Sequence, residues 1–373
     1  MLLSSKGDAM PLKLTKFKAA AVSAAPVYLN REASLDKACS LIAECARNGA
    51  KLIAFAETFV PGYPHWLNVL RVDQGYPLHV RLVKNAVEVP SEATDQLCEA
   101  AGKADAVVVV GINERDPVNW GTLYNTNLII DRTGRILGKH RKIMPTMAEK
   151  ICWGFGDGSS LRVYDTDLGR IGTLICGENT NPLAKFALLA QGEQIHVANY
   201  PSNPARTAFK LTEGIEIRSR AMCFEGKVFT LTAASPFSDE IRDTICKTDE
   251  DRKFMSAKPN CYTAIHGPNG RCLAGPVMDK EEIVYANIDT EQSLIPKIRH
   301  DVVGHYNRFD IMSLNLNRSV LHPIAETGAS VPEHTKRMSE EDFFQQLEGL
   351  LVGIKDTETC MQIRDLITTF RGS

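Results

Sequence analysis

Apolar residues recur along this chain with two periods, and the change from one to the other marks its elements. Residues 17–24 (FKAAAVSA) read as a strand. Residues 31–48 read as an amphipathic helix, with Ala38, Leu41, Ile42, Cys45 and Ala46 at helical spacing and Gly49 as a stop. "KLIAFAE" (51–57) is a short apolar strand that ends in a carboxylate. A second helical run (91–103) leads to "DAVVVVGINE" (105–114), apolar enough to be buried on both faces. "LYNTNLIIDRTGRILGKHRK" (123–142) reads as a hairpin turned by "DRTG".

The hairpin recurs in "LRVYDTDLGRIGTLIC" (161–176), where "TDLG" turns the chain and the second arm ends at Cys176. Residues 181–191 look helical, "QIHVAN" (194–199) is a strand, 211–225 a helix and "VFTLTAA" (228–234) another strand. "YTAIHGPNGRCLA" and "EIVYANID" add further hairpin. Strands interleave with helices, yet many connections are tight turns, so the sheets must be mixed. Two such sheets packed face to face with helices outside, an α/β arrangement, satisfy the pattern. Residues 1–14 read as a tail, 15–290 as one domain and 291–373 as an extension. That extension is polar from about residue 323 apart from one helical segment, "SEEDFFQQLEGLLVGI", and is expected to serve as an oligomer contact or a loosely held arm.

Composition narrows the function. A chain of 373 residues, 44% apolar and 24% charged, can bury a large core. A formal charge of -2 argues against a protein whose task is to neutralise nucleic-acid phosphates or acidic lipid. The first residues lack a signal-peptide core and no window offers a membrane span, so the expected location is cytoplasmic. Ten cysteines form no CxxC and no zinc spacing with histidine, as expected of buried thiols in a reducing compartment.

Three residues stand out by position. Cys176 closes a strand just before "GENTNP", a turn into a helix that Asn179 or Thr180 could cap; free backbone N–H groups at such a turn favour thiolate. Glu57 closes another strand before an aromatic loop, and a pocket lined by Phe59, Tyr63 and Trp66 would raise its pKa toward that of a general base. Lys142 ends the second arm of the first hairpin, and alternation places it with His140 and opposite Lys139 and Arg141. "GRILGKH" lacks the spacing and hydroxyl of a phosphate loop, which dismisses nucleotide binding. Taken singly, each has a bland reading: a buried thiol, a solvated carboxylate, a surface charge.

Together with their surroundings they resemble a known family. "FAETFVPGYPHW", "GKHRKIMPT", "WGFGDGSSLRVYDTDLGRIGTLICGEN", "PLAKFALLAQGEQIHVANYP" and "HDVVGHYNRFDIMSLNLNR" are similar, in order, to the signature blocks of the nitrilase superfamily, specifically its nitrilase branch. The resemblance covers about residues 17–318 and implies a four-layer αββα sandwich with a Glu-Lys-Cys triad at Glu57, Lys142 and Cys176. It further implies a second active-site carboxylate at Glu149, in "PTMAE". Implied partners are a small nitrile, water and further copies of the chain in a dimer or spiral. No metal or organic cofactor is implied.

Two positions depart from the family pattern: Gly177 follows the nucleophile where Trp is usual, and Met147 replaces a His. Loss of an indole there should reshape the pocket, with a range shifted toward bulkier nitriles. Tyr63, Trp66, Gly177 and Asn199 are the expected substrate-binding positions; Trp153 could pack either way. His196 reads as a core histidine, and His305, Tyr306, Arg308 and Asp310 as a buttress or interface. An amidase or carbamoyl-amide hydrolase on the same triad is the alternative, since an amide carbonyl meets the same thiolate. A silent binding protein would lack a triad member, and none is missing.

Overall fold

The computed structural model describes residues 12–202, 210–322 and 324. The segment "SEEDFFQQLEGLLVGI" and most of the N-terminal tail lie outside them. Among the described residues twelve strands form two six-stranded mixed sheets. In the first, β1 (Lys16–Ser23), β2 (Ala50–Ala54) and β3 (Val107–Arg115) run parallel. They are extended by the antiparallel β4 (Leu123–Ile130) and β5 (Ile136–Arg141), and on the other edge by β12 (Glu282–Asp289). In the second, β7 (Gly169–Ile175), β8 (Ile195–Tyr200) and β9 (Phe229–Ala234) run parallel. β6 (Tyr164–Thr166) flanks them on one side, and β10 (Thr263–His266) with β11 (Cys272–Val277) on the other.

Burial on both faces explains why the strands read as unbroken apolar runs. In "VVVV", Val107 and Val109 face the second sheet with Ala19, Ala21, Leu52 and Ala54, against Ile195, Val197, Phe229 and Leu231. Val108 and Val110 face outward, to α1 (Arg31–Arg47) and α3 (Glu92–Ala104) through Leu35, Ile42 and Leu97. On the far side, α4 (Pro182–Leu189) and α5 (Leu211–Gly226) cover the second sheet through Leu188 over Leu174 and Ile215 over Ala198. The layers are therefore helix, sheet, sheet and helix, as the patterning and the resemblance led one to expect.

Three helices carry no sequence signal of the kind read above. α2 (Val72–Asn85) contains Gly75 and Pro77, while α6 (Asp239–Ile245) and α7 (Asp249–Met255) are short and charged. Packing continues past residue 290. α8 (Leu294–Arg299) follows a short 3-10 turn, Val302 and Val303 meet Leu189 and Met222, and Leu314 and Leu316 meet Leu161 and Leu174. The compact unit runs through Val320. No helix among the described residues is long and apolar enough to cross a membrane.

One polar node interrupts the apolar layer between the sheets. Asn127 on β4 donates to Thr173 Oγ1 on β7 at 2.6 Å and to Asn199 Oδ1 on β8 at 3.3 Å, and the Asn199 amide donates back to Asn127. All three side chains are buried, so their bonds fix the register of one sheet against the other. Asn127→Leu or Asn199→Leu alone should each cost about 1–3 kcal/mol by stranding the partner amide. Urea unfolding should show the double variant losing less than the sum; strict additivity would contradict the coupling.

Candidate active site

The ends of β2, β5 and β7 converge, and each delivers one polar side chain. Beyond β2 the chain continues through Phe55 and crosses Gly111, where a Cβ would lie 2.4 Å from Ala56 O and Thr58 N. Only glycine lets the Glu57 turn press so close to β3. Lys142 follows β5 directly, its N–H donating to Asn125 O at 2.7 Å. Cys176 follows β7 and takes a φ of 48°, a left-handed conformation that turns its side chain out of the strand. Glu149 arrives from a 3-10 turn, Met147–Ile151, whose start its own carboxylate caps by accepting from Thr146 N at 2.6 Å.

These four groups meet in one buried cluster. Lys142 Nζ donates to Glu57 Oε1 at 2.9 Å and to Glu149 Oε2 at 2.6 Å, and one oxygen from each carboxylate and Cys176 Sγ all lie within 4.8 Å of one another. Such a donor set could ligate a cation, but the ammonium already occupies the space between the carboxylates. Asn125 Nδ2 donates to Glu57 Oε1 at 2.6 Å and Tyr63 Oη to Glu149 Oε1 at 2.9 Å. Glu57 Oε2 is buried without a hydrogen-bond partner, which leaves one basic oxygen uncommitted.

Burial governs the proton affinities. It pushes Glu57 up to about 7, with the Glu149 charge adding to it and Lys142 opposing. Burial alone would discharge Lys142, but Glu57, the Cys176 sulfur and Glu149 outweigh it and hold the ammonium well above its ordinary range. The Cys176 thiol is driven far up by burial and by Glu57, so it rests protonated at neutral pH. The site therefore holds a fixed cation, a thiol that needs a base, and a carboxylate able to serve as one.

The family model for carbon-nitrogen hydrolases matches residues 18–293. The chain belongs to the carbon-nitrogen hydrolase family. It is 39% identical to a nitrilase of Bacillus sp. (strain OxB-1), over 85% of this chain and 93% of that one. It is 38% identical to an aliphatic nitrilase of Rhodococcus rhodochrous, over 95% of each. Among solved structures, Nit3 of Saccharomyces cerevisiae, a member of branch 10 of the nitrilase superfamily, shares the fold with a TM-score of 0.60. Its identity is 20%, covering 76% of this chain and 94% of that one.

In this carbon-nitrogen hydrolase the remaining expected positions separate. Tyr63 stands at the cluster, its ring 5.4 Å from Trp153, which lies under Lys142 Nζ at 5.8 Å. Trp66 instead packs with Tyr28, Leu29 and Leu82, beside Gly75 of α2; Phe59 packs on Phe55 toward the helices, and Asn199 is held in the intersheet node. Helix α4 is capped by Asn181 in place of Asn179 or Thr180, because Asn179 is committed to backbone carbonyls. Tyr306, Arg308 and Asp310 are exposed, the last two paired with each other.

Sequence reasoning passed over three groups that hold the cluster. Asn125 was signalled only by a polar residue inside an apolar strand. Glu178 accepts from Ile143 N at 2.6 Å and Ile175 N at 2.8 Å and lies 3.0 Å from His140 Nε2, tying the residue after Lys142 to the residue before Cys176. Glu114 is the third: buried, it binds Lys139 and Arg141 on the other side of β5 from His140 and Lys142. Because Glu57 must ionise before it can take the thiol proton, alkylation of Cys176 by iodoacetamide should speed up as pH rises through about 7. Glu57→Gln should flatten that step, and a step unchanged by the substitution would contradict the assignment.

Proposed function

We propose that the protein is a nitrilase, converting an organic nitrile and water to the carboxylic acid and ammonia with Glu57, Lys142, Glu149 and Cys176 as its catalytic groups. The observation that carries this reading is the free Glu57 Oε2 beside a protonated thiol, with an ammonium pinned between two carboxylates at the same point. The nitrilase names of relatives spanning most of the chain support it.

The residue types set the steps. Glu57 takes the Sγ proton as sulfur adds to the nitrile carbon, and Lys142 protonates the developing nitrogen anion and is reprotonated by Glu57, giving a neutral covalent thioimidate and an ionised Glu57. Glu57 then activates water; the tetrahedral adduct expels ammonia and leaves a thioester, which a second water hydrolyses to the acid and free thiol. Expulsion of the thiol from the first adduct would release the amide. Glu149 holds Lys142 in place and accepts from Tyr63, which leaves Glu57 as the carboxylate free to move protons. Exposed Leu183, Ile217 and Phe224 on α4 and α5 support assembly with further copies.

Gly177 is where substrate range is set in this reading. A Cβ there would lie 2.9 Å from Thr146 Oγ1, at the turn that carries Glu149. A panel of aliphatic, aromatic and arylacetic nitriles, each paired with its amide, should release ammonia from the nitriles, and Cys176→Ala should lose about 10⁴-fold or more. Release from the amides alone would overturn the nitrile reading in favour of an amidase. Gly177→Trp should lower kcat/KM for the bulkiest nitriles of that panel most; an unchanged profile would remove position 177 from specificity.

A further inference from the structure

Directly beneath the Cys176 turn lies a second buried polar chain that the reaction does not use. Glu193 Oε1 is 2.8 Å from His196 Nδ1, His196 Nε2 is 2.8 Å from Asn179 Oδ1, and Asn179 Nδ2 lies 3.1 Å from both Leu174 O and Cys176 O. Glu193, His196 and Asn179 are all buried. Gly172, which pairs with His196 across β7 and β8, leaves the space: a Cβ there would sit 2.1 Å from Glu193 Oε1.

The last link fixes the direction of the others. Two backbone carbonyls can only accept, so the Asn179 NH2 must face them; its Oδ1 then faces His196 and needs a donor. Nε2 therefore carries a proton. Nδ1 faces the Glu193 carboxyl, and one proton shared between them completes the chain. The reversed amide would set Oδ1 against two carbonyl oxygens.

We infer that Glu193 and His196 form a buried hydrogen-bonded pair whose role is to hold, through Asn179, the carbonyl of Cys176 and with it the left-handed turn that aims the thiol. They are positioning residues, since neither touches the reacting atoms. The left-handed φ of Cys176 is one a non-glycine residue keeps only when its surroundings enforce it. Asn179 supplies that enforcement from below, as Glu178 does from the Lys142 side. Without the Nε2 proton the Asn179 oxygen would face a bare nitrogen, and the amide would be free to turn away from Cys176 O.

The inference rests on Cys176 being the nucleophile, and its test separates the two. In full-length protein labelled with 15N-histidine, the ring of His196, assigned by its loss in His196→Gln, should show a proton on Nε2 at neutral pH. A ring with a bare Nε2 would overturn the link to Asn179. Asn179→Ala and Glu193→Gln should each lower kcat about 10- to 100-fold, as expected for a lost orienting contact. With the nitrile the native protein hydrolyses fastest, KM should stay within about twofold. Iodoacetamide should alkylate Cys176 more slowly in both variants, with the melting transition retained. Loss of activity only in step with loss of folded protein, or a change in KM alone, would overturn the positioning role. Activity surviving in Cys176→Ala would sink the nucleophile reading while leaving the ring spectrum and the alkylation result to stand by themselves.

Discussion

An ammonium buried between two carboxylates is the interaction on which the rest of this structure depends. Lys142 has no solvent to stabilise it, and neither have Glu57 and Glu149. Removing one partner from such a group strands a buried charge, at a cost of about 3–5 kcal/mol. Each of the three comes from a different segment: a strand end in the first sheet, the end of its edge strand, and a 3-10 turn. The bond geometry can be met only if the sheet is complete out to β5 and the 146–149 turn is folded back on it.

The second sheet enters the same constraint through Cys176. Its thiol lies near both carboxylates, so the sandwich must hold its two sheets in one register. Polar ties do that work. Asn127, Thr173 and Asn199 lock the sheets in the middle, while Glu178 joins the backbone on either side of the Lys142 and Cys176 ends. Sliding the sheets would break the hydrogen bonds of these buried amides and carboxylates, a penalty added to that of disturbing a close-packed apolar layer.

Much of this was legible in the residues. The unbroken apolar run "VVVV" predicts a strand buried on both faces, and tight turns at "DRTG" and "TDLG" predict mixed sheets, because run length and turn chemistry are local properties. α2 was not legible: glycine and proline within it argue against a helix, and its packing against Trp66 outweighs that penalty. The four charged and thiol groups were found from strand ends and family blocks. Their supports were not, because Asn125, Glu178 and Glu193 become meaningful only once a partner distant in sequence is beside them. Polar residues set in apolar runs, such as the two asparagines of "LYNTNLII", were the available signal, marking buried polar contacts without naming the partner.

The neighbourhood of Gly177 links the turn after Cys176 to the charge cluster. Thr146 faces the space a side chain at 177 would fill, and its backbone N–H binds the same Glu149 oxygen that receives Lys142. A side chain at 177 must therefore turn the Thr146 hydroxyl aside, and if the Thr146 backbone followed it Glu149 would lose that N–H donor. The Glu149 charge would then rest more on Lys142, shifting the balance of charge around Glu57. A bare glycine at this point leaves both the Thr146 hydroxyl and the charge cluster undisturbed, so the residue after Cys176 is coupled to Glu149 through a single threonine.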